Sequence, residues 1–253
     1  MTITVVIPMA GAGSRFQKEG WETPKPLIEF NGKMMIEHVL DSFSYCRNDL
    51  SFILIIRSEF RQKNGEKLSK LEKYKNLRFI EAEELTQGAA CTVLLARKYF
   101  ANSSLLIADS DTFYSAKTIG KFVTFLKDKD PDVSLITFMS QLNCYSYVSV
   151  DEKNNLLTAI AEKEVISSHA ISGIYYFKYG AQFVDTCIEL LIYNRRTKSE
   201  FYISSVVGEV ARKLKSKFML YEIEASDIFC AGTPSQLKNV VRRINGLNLY
   251  SAE

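Results

Sequence analysis

The sequence has few cysteines, little net charge and no long apolar run, and each shortage argues against a class of protein. Its five cysteines among 253 residues are scattered and form no Cys-x-x-Cys pair, which argues against structural zinc and fits a reduced, cytoplasmic setting. The net charge of +3 gives no reason to expect a nucleic-acid partner. The apolar run behind Met1 is too short for a membrane span and lacks a basic lead-in and a cleavage site, so we expect neither a membrane partner nor an export signal.

What the sequence does contain is the alternation of strand and helix that is typical of an α/β protein. A hydrophobic fraction of 47% and a charged fraction of 24% indicate a globular chain with a real core. We expect a single Rossmann-like α/β domain over residues 1–253, with a mixed, mostly parallel sheet flanked by helices. We find no internal repeats. The first half predicts strands at 5–9, 52–56, 77–80 and 105–108 and helices at 34–45, 62–75 and 89–99. The second half predicts strands at 133–138, 147–150, 156–161 and 171–177 and helices at 181–193, 203–214 and 233–245.

A glycine-rich stretch follows the first predicted strand. Gly11 and Gly13 let the backbone approach a ligand and point several N–H groups at one anion, and Arg15 is placed to bind phosphate oxygens. The stretch lacks the GxxxxGK[ST] pattern of a P-loop. By itself it fits a structural turn as well as a phosphate site.

A single lysine lies between two prolines in the next loop. Pro24 and Pro26 fix φ on either side of Lys25, so the direction of its side chain is restricted. A stiff, isolated cation ten residues after Arg15 suits a polyphosphate. Read alone, it is equally an exposed lysine in a rigid loop.

Together the two loops resemble the signature of the sugar-phosphate nucleotidylyltransferases, also called nucleoside-diphosphate-sugar pyrophosphorylases. The resemblance covers roughly residues 3–240 and is sharpest over 9–27. It implies a nucleotide-binding half at 1–115, an acceptor-binding half at 116–253, and catalytic roles for Arg15 and Lys25. It also implies nucleotide contacts from the residues of the first loop, namely Met9, Ala10, Gly11, Ala12 and Gly13.

A second set of polar residues precedes the helix expected at 89–99. The amide of Gln87 both donates and accepts, so it can read the edge of a base. The same segment fits a plain turn at a helix start. The resemblance implies that Gln87 and Gly88 contact the base of the nucleotide.

Two carboxylates follow the buried strand at 105–108. Ligands gather outside the carboxyl ends of strands in open α/β sheets, and two hard oxygen ligands suit Mg²⁺. A solvated turn with Asp caps is the alternative. The resemblance implies Asp109 as a catalytic residue and metal ligand, and we expect Asp111 as the second ligand and Mg²⁺ as the cofactor.

The acceptor side is expected in the second half of the chain. The charge pattern of Glu162 and Lys163 alone fits solvated surface, but the resemblance implies acceptor contacts for both. It implies the same for Gly173, which admits the acceptor, and for Glu200, which lies in a segment that opens a helix. His169 is expected to be an ordinary loop histidine.

The chain departs from the family pattern at Cys230, where relatives carry an aspartate that is commonly a second ligand of the metal. A neutral thiol is a poor Mg²⁺ ligand, so the second carboxylate is expected to be Asp111 or Asp227. The departure leaves open an inactive, nucleotide-binding homologue.

The expected reaction transfers NMP from an NTP to the phosphate of a small acceptor, with release of pyrophosphate. We favour CTP, and a sugar 1-phosphate, phosphocholine or phosphoglutamine-like acceptor, in surface-polysaccharide (capsule) biosynthesis. A metal-dependent glycosyltransferase also fits Asp109 and Asp111, but it needs no cradle for a triphosphate. The sequence leaves the oligomeric state unknown.

Overall fold

The centre of the molecule is a nine-stranded sheet, seen in a computed structural model that describes residues 3–151, 156–214 and 217–245. The strands are β1 (Ile3–Pro8), β2 (Glu29–Phe30), β3 (Lys33–Met34), β4 (Leu50–Arg57), β5 (Leu77–Ala82), β6 (Ser104–Ala108), β7 (Thr112–Tyr114), β8 (Val133–Met139), β9 (Tyr147–Val150), β10 (Leu157–Ala161), β11 (His169–Phe177), β12 (Phe218–Ile223) and β13 (Ile228–Cys230). The helices are α1 (Ser14–Gln17), α2 (Met35–Asp41), α3 (Ser58–Lys63), α4 (Gly65–Ser69), α5 (Ala89–Leu94), α6 (Arg97–Phe100), α7 (Ala116–Lys129), α8 (Gly180–Ile192), α9 (Ile203–Leu214) and α10 (Pro234–Ile244).

The sheet combines a parallel part with antiparallel additions. β6, β1, β4 and β5 lie side by side and parallel, with Val5 opposite both Phe52 and Leu106. β11 then runs antiparallel beside β6, and it also pairs with β8 and β9. β12 adds a parallel strand beside β8. The expectation of an α/β domain with a mixed, mostly parallel sheet is confirmed.

Alternate side chains of the central strands feed two separate cores. Val5 and Ile7 of β1 point to one face, where they pack with α2, α7 and α10, whereas Val6 points to the other face with α5, α8 and α9. Because both faces are covered, the central strands are apolar along their whole length rather than at every second residue. This explains why β1, β4 and β6 could be recognised as uninterrupted apolar runs.

Two longer elements, α7 and β12, lie where the sequence analysis expected none, and so do the short elements α1, β2, β3, β7 and β13. In α7, Ser115 caps the helix by accepting from the Thr118 N–H at 3.2 Å, and buried apolar side chains follow at helical spacing from Ile119 to Leu126. This pattern was readable in the sequence. β12 was not, because its side chains are partly exposed and its place depends on pairing with β8.

Two expected helices are interrupted. The stretch 62–75 forms the end of α3, then α4 and a 3₁₀ turn at Lys70–Lys73, with a break at Asn64, whose φ of −124° is not helical. The stretch 89–99 divides into α5 and α6 around Ala96. In both places the apolar spacing is correct and the helical hydrogen-bond ladder is not continuous.

Two further findings concern the cysteines and the length of the helices. All five thiols are free. Over the described ranges, no helix is both long enough and apolar enough to cross a bilayer.

Ser42 connects α2 to β7, the short strand behind Asp111. Its hydroxyl accepts from the Tyr114 N–H at 2.9 Å and donates to the His38 carbonyl at 3.0 Å, and its side chain is fully buried. We expect Ser42→Ala to lower the free energy of unfolding by about 1–3 kcal/mol, because a buried N–H loses its acceptor. Urea unfolding measures this change. The exposed Ser44 provides the matched control, and equal losses in Ser42→Ala and Ser44→Ala would contradict the assignment.

Candidate active site

The glycine-rich loop begins inside the core and ends at the surface. Met9 and Ala10 are buried, and the Met9 N–H continues the β1–β4 ladder by donating to the Ile55 carbonyl at 2.9 Å. Gly11 is exposed, and Gly13 adopts φ of +64°, which L side chains rarely take. The loop is therefore anchored by two parallel strands and freely accessible at its tip, where Ala12 is half-buried.

Lys25 lies beneath this loop and reaches the acidic strand end. A Cβ on Gly13 would lie 3.7 Å from the Lys25 Cβ, so loop and lysine are in contact. The Lys25 Nζ forms a 2.6 Å ion pair with Asp111 Oδ2. The exposed Arg15, from α1, lines the same cavity as the two aspartates. The structure thus brings Arg15, Lys25, Asp109 and Asp111 together, as the sequence led us to expect.

The two aspartates differ in their electrostatic surroundings. Burial and the Asp111 carboxylate raise the pKa of Asp109 to about 8. Burial also opposes ionisation of Asp111, but the Lys25 ammonium holds the pKa of Asp111 below its usual value. Burial in turn disfavours a charged Lys25, and Asp111 more than offsets this, so the pKa of Lys25 is raised. The Lys25 ammonium is therefore what keeps the Asp111 carboxylate ionised in this buried place.

Gly173 allows β11 to cross next to Asp109. The Asp109 N–H donates to the Gly173 carbonyl at 2.9 Å. A Cβ at Gly173 would lie 2.6 Å from Asp109 Oδ2, and its φ is +94°. Gly173 also lies in the stretch between Ile171 and Tyr175 where the register of the β11–β8 pairing shifts. Only glycine fits both the backbone angle and the space.

The C-terminal strand β13 covers the other side of Asp111. The Ala231 N–H donates to the Asp111 carbonyl at 2.8 Å. Burial raises the pKa of Cys230 to about 12, so this cavity-lining thiol stays neutral. Asp227 lies in a 3₁₀ turn at the far end of β13 and does not line the cavity. Of the two carboxylates considered in place of Cys230, Asp111 is the one beside Asp109.

Glu162 and Lys163 come directly after β10. The Glu162 carboxylate oxygen Oε2 accepts from the hydroxyls of Ser146 and Ser204, the latter at 3.0 Å. Lys163 has a left-handed φ of +55°, and its Nζ lies 3.4 Å from the Tyr202 hydroxyl. The two neighbouring charged side chains are thus both attached to the start of α9.

Most of the expected contact residues are absent from the lining of this cavity, namely Met9, Ala10, Gly11, Ala12, Gly13, Gln87, Gly88, Gly173 and Glu200. Gln87 is exposed, its side-chain oxygen accepts from Arg196, and it borders a separate groove. Glu200 is also exposed and does not line the cavity. Gly88 is packed so tightly that a Cβ would lie 2.5 Å from the Phe201 carbonyl oxygen. His169 begins β11 and lies 3.2 Å from a carboxylate oxygen of Glu222, away from the cavity.

The residues around the aspartates enclose a cavity of about 300 Å³. It contains cations and carboxylates from both halves of the chain, which are Arg15, Asp109, Asp111, Glu162 and Lys163. Hydroxyl-bearing residues form much of the remaining wall, namely Thr112, Tyr145, Ser146, Ser172, Tyr175, Tyr202, Ser204 and Thr233. Ser146 gave no signal in the sequence, since an isolated serine has no pattern. Tyr202 and Ser204 lie in the segment around Glu200 that was noted there.

The family profile for nucleotidyl transferases matches residues 4–212, which include the cavity residues from Arg15 to Ser204. The chain belongs to the nucleotidyl transferase family. The family match agrees with the resemblance drawn from the two loops.

Solved structures of nucleotidyl transferases have the same fold. The nucleoside-diphosphate-sugar pyrophosphorylase from Vibrio cholerae RC9 is 24% identical, with a TM-score of 0.82 over 94% of this chain and 99% of that one. A Bacillus anthracis protein assigned as a glucose-1-phosphate thymidylyltransferase is 18% identical, with a TM-score of 0.79 over 98% and 97%. The inositol-1-phosphate CTP transferase from T. maritima is 15% identical, with a TM-score of 0.72 over 96% of each chain.

Gly173 offers a test of the packing around Asp109. We expect Gly173→Ala to lower the free energy of unfolding by about 2 kcal/mol or more, because the residue would be strained and would overlap Asp109. Chemical denaturation measures the change. Gly65→Ala is the control, since nothing lies within 4 Å of a Cβ there. A Gly173→Ala variant as stable as Gly65→Ala would show that β11 does not approach Asp109 in this way.

Proposed function

We propose that this nucleotidyl transferase joins the NMP unit of an NTP, with CTP favoured, to the phosphate of a small phosphorylated acceptor. The observation that supports this most directly is the single cavity in which Arg15 and the aspartates face Glu162 and Lys163. Residues 1–115 would hold the nucleotide and residues 116–253 the acceptor. Free thiols and the absence of a membrane-spanning helix among the described residues are compatible with a cytoplasmic setting.

The reaction joins two anions, so charge neutralisation is the central demand. An oxygen of the acceptor phosphate attacks the α-phosphorus, a new P–O bond forms, and the bond to the bridging oxygen breaks as pyrophosphate leaves. Arg15 and Lys25 would bind phosphate oxygens on the nucleotide side, and Lys163 would bind the acceptor phosphate. These cations lower the repulsion and align attacking and leaving groups, so no covalent nucleophile is required.

The donor set at the end of β6 fits a magnesium ion. Asp109 and Asp111 provide carboxylate oxygens, and within the described ranges no group of three or more His, Cys, Asp or Glu side chains forms a complete metal cage. Mg²⁺ commonly takes one or two carboxylates together with substrate phosphates and water. Bound there, it would supply positive charge to the phosphates. Lys25, now paired with Asp111, would turn its ammonium toward phosphate oxygens.

The base and the acceptor are the finer parts of the proposal. CTP is favoured by the resemblance of the first loop to those of small cytidylyltransferases. One structural neighbour is named as an inositol-1-phosphate CTP transferase and another as a glucose-1-phosphate thymidylyltransferase, so related folds accompany different bases. A sugar 1-phosphate, phosphocholine or a phosphoglutamine-like acceptor is proposed, with a role in surface-polysaccharide biosynthesis.

A pyrophosphate-release assay tests the reaction. The four NTPs are crossed with sugar 1-phosphates, phosphocholine and phosphorylated amino acids in the presence of Mg²⁺. We expect pyrophosphate from one pairing, with CTP as the donor. Nucleotide binding without pyrophosphate release from any pairing would favour a non-catalytic homologue, whereas NDP release from a nucleotide-sugar would favour a glycosyltransferase.

The acidic strand end and its lysine can be tested by substitution. We expect Asp109→Asn and Lys25→Ala each to lower turnover by about 10²-fold or more, because the first removes a carboxylate ligand for the metal and the second removes a cation at the reacting phosphates. Asp227→Asn should retain normal turnover, since Asp227 lies outside the cavity. Initial rates at saturating substrates measure the effect. Near-normal turnover in the first two variants would contradict the assignment.

A further inference from the structure

Glu162 is held by two serines that come from distant parts of the chain. Ser146 immediately precedes β9, and Ser204 is the second residue of α9. Both hydroxyls donate to the same carboxylate oxygen, Oε2 of Glu162. Ser146 is only 9% exposed and Ser204 only 3%, so neither hydroxyl can readily exchange this acceptor for water.

We propose that Ser146 and Ser204 are positioning residues that fix Glu162 for acceptor binding. Their two bonds occupy Oε2, and within the described part of the chain no protein donor reaches Oε1. Oε1 is therefore the oxygen that accepts from a donor group of the acceptor. This inference rests on the transferase activity proposed above and adds two residues that hold no substrate themselves.

The advantage of this arrangement is preorganisation. A glutamate at the end of an edge strand has three side-chain torsions, and ordering it during binding would weaken the affinity for the acceptor. Two buried donors from different elements restrict those torsions before the acceptor arrives. Hydrogen bonds to a charged group are also stronger than those between neutral groups.

The neighbouring Lys163 is held from the same side. Its Nζ lies 3.4 Å from the Tyr202 hydroxyl and 5.2 Å from the centre of that ring. Tyr202 thus holds the Lys163 ammonium, which would bind an anionic group of the acceptor. Ser204 holds the neighbouring Glu162 carboxylate, which would accept from a donor group. The start of α9 therefore sets the distance between the two points at which the acceptor is recognised.

The test compares Ser146→Ala, Ser204→Ala and the double variant with Ser205→Ala. Ser205 is the matched control because it is the next residue of the same helix and bonds Thr197 at 2.7 Å outside the cavity. Using the acceptor identified by the pyrophosphate assay, we expect the acceptor KM to rise about tenfold in each single variant, as the loss of a bond to a charged group implies. The kcat and the KM for the NTP should stay within about twofold of the wild type, because the lost contact serves binding only.

An unchanged acceptor KM in the double variant would overturn the proposal. So would an equal effect of Ser205→Ala, or a parallel fall of kcat and NTP affinity, since both indicate general loss of structure. If no NTP–acceptor pair releases pyrophosphate, the proposed function fails, and a crystal structure of the Ser146→Ala/Ser204→Ala protein decides the positioning separately. A Glu162 carboxylate turned away from its wild-type position supports the inference, and an unmoved one overturns it.

Discussion

The 2.6 Å ion pair between Lys25 and Asp111 is the interaction on which the arrangement of the site depends. β6 is buried along its length and ends at two carboxylates. Burial opposes ionisation of both, and the Asp111 carboxylate opposes it further at Asp109. Lys25 resolves this conflict by stabilising the charge of Asp111. This ion pair therefore links three parts of the site electrostatically. They are the rigid Pro-Lys-Pro loop, the glycine-rich loop packed against it and the end of β6. A metal ion that binds Asp111, or a phosphate that binds Lys25, must therefore replace one partner of this ion pair.

The second half of the chain reaches the site through an antiparallel strand that lies beside the parallel sheet. β11 runs beside β6, and the absence of a side chain at Gly173 lets its backbone bond directly to Asp109. This contact fixes how far β11 lies from the two carboxylates. The start of α9 is tied in turn to the segment at Gln87, because the Phe201 N–H donates to the Gln87 carbonyl at 3.0 Å. The segment at Gln87 and the start of α9 are thus directly connected.

Strands and loops could be predicted where residues close together in the sequence determine the local structure. Fully buried strands such as β1 and β6 appear as apolar runs, and the loops around Arg15 and Lys25 carry restricted backbone chemistry. β12 could not be predicted in this way, because its position depends on β8, about eighty residues earlier. Ser146 and Ser204 were missed for the same reason, since a serine becomes informative only when folding brings it to Glu162. The case of α7 is different, because its serine cap and its helical spacing of apolar residues are both visible in the sequence.

The antiparallel pairing of β7 with β13 has a consequence for synthesis on the ribosome. Cys230 is opposite Thr112, so the strand that closes the cavity over Asp111 is made more than a hundred residues after the strand it joins. The cavity walls range from Arg15 to Gln236. A nascent chain that has completed the parallel strands thus still exposes its acidic strand end to water. The cavity is complete only after residues 228–236 have left the exit tunnel, so a chain that stops before β13 would lack this cover over Asp111.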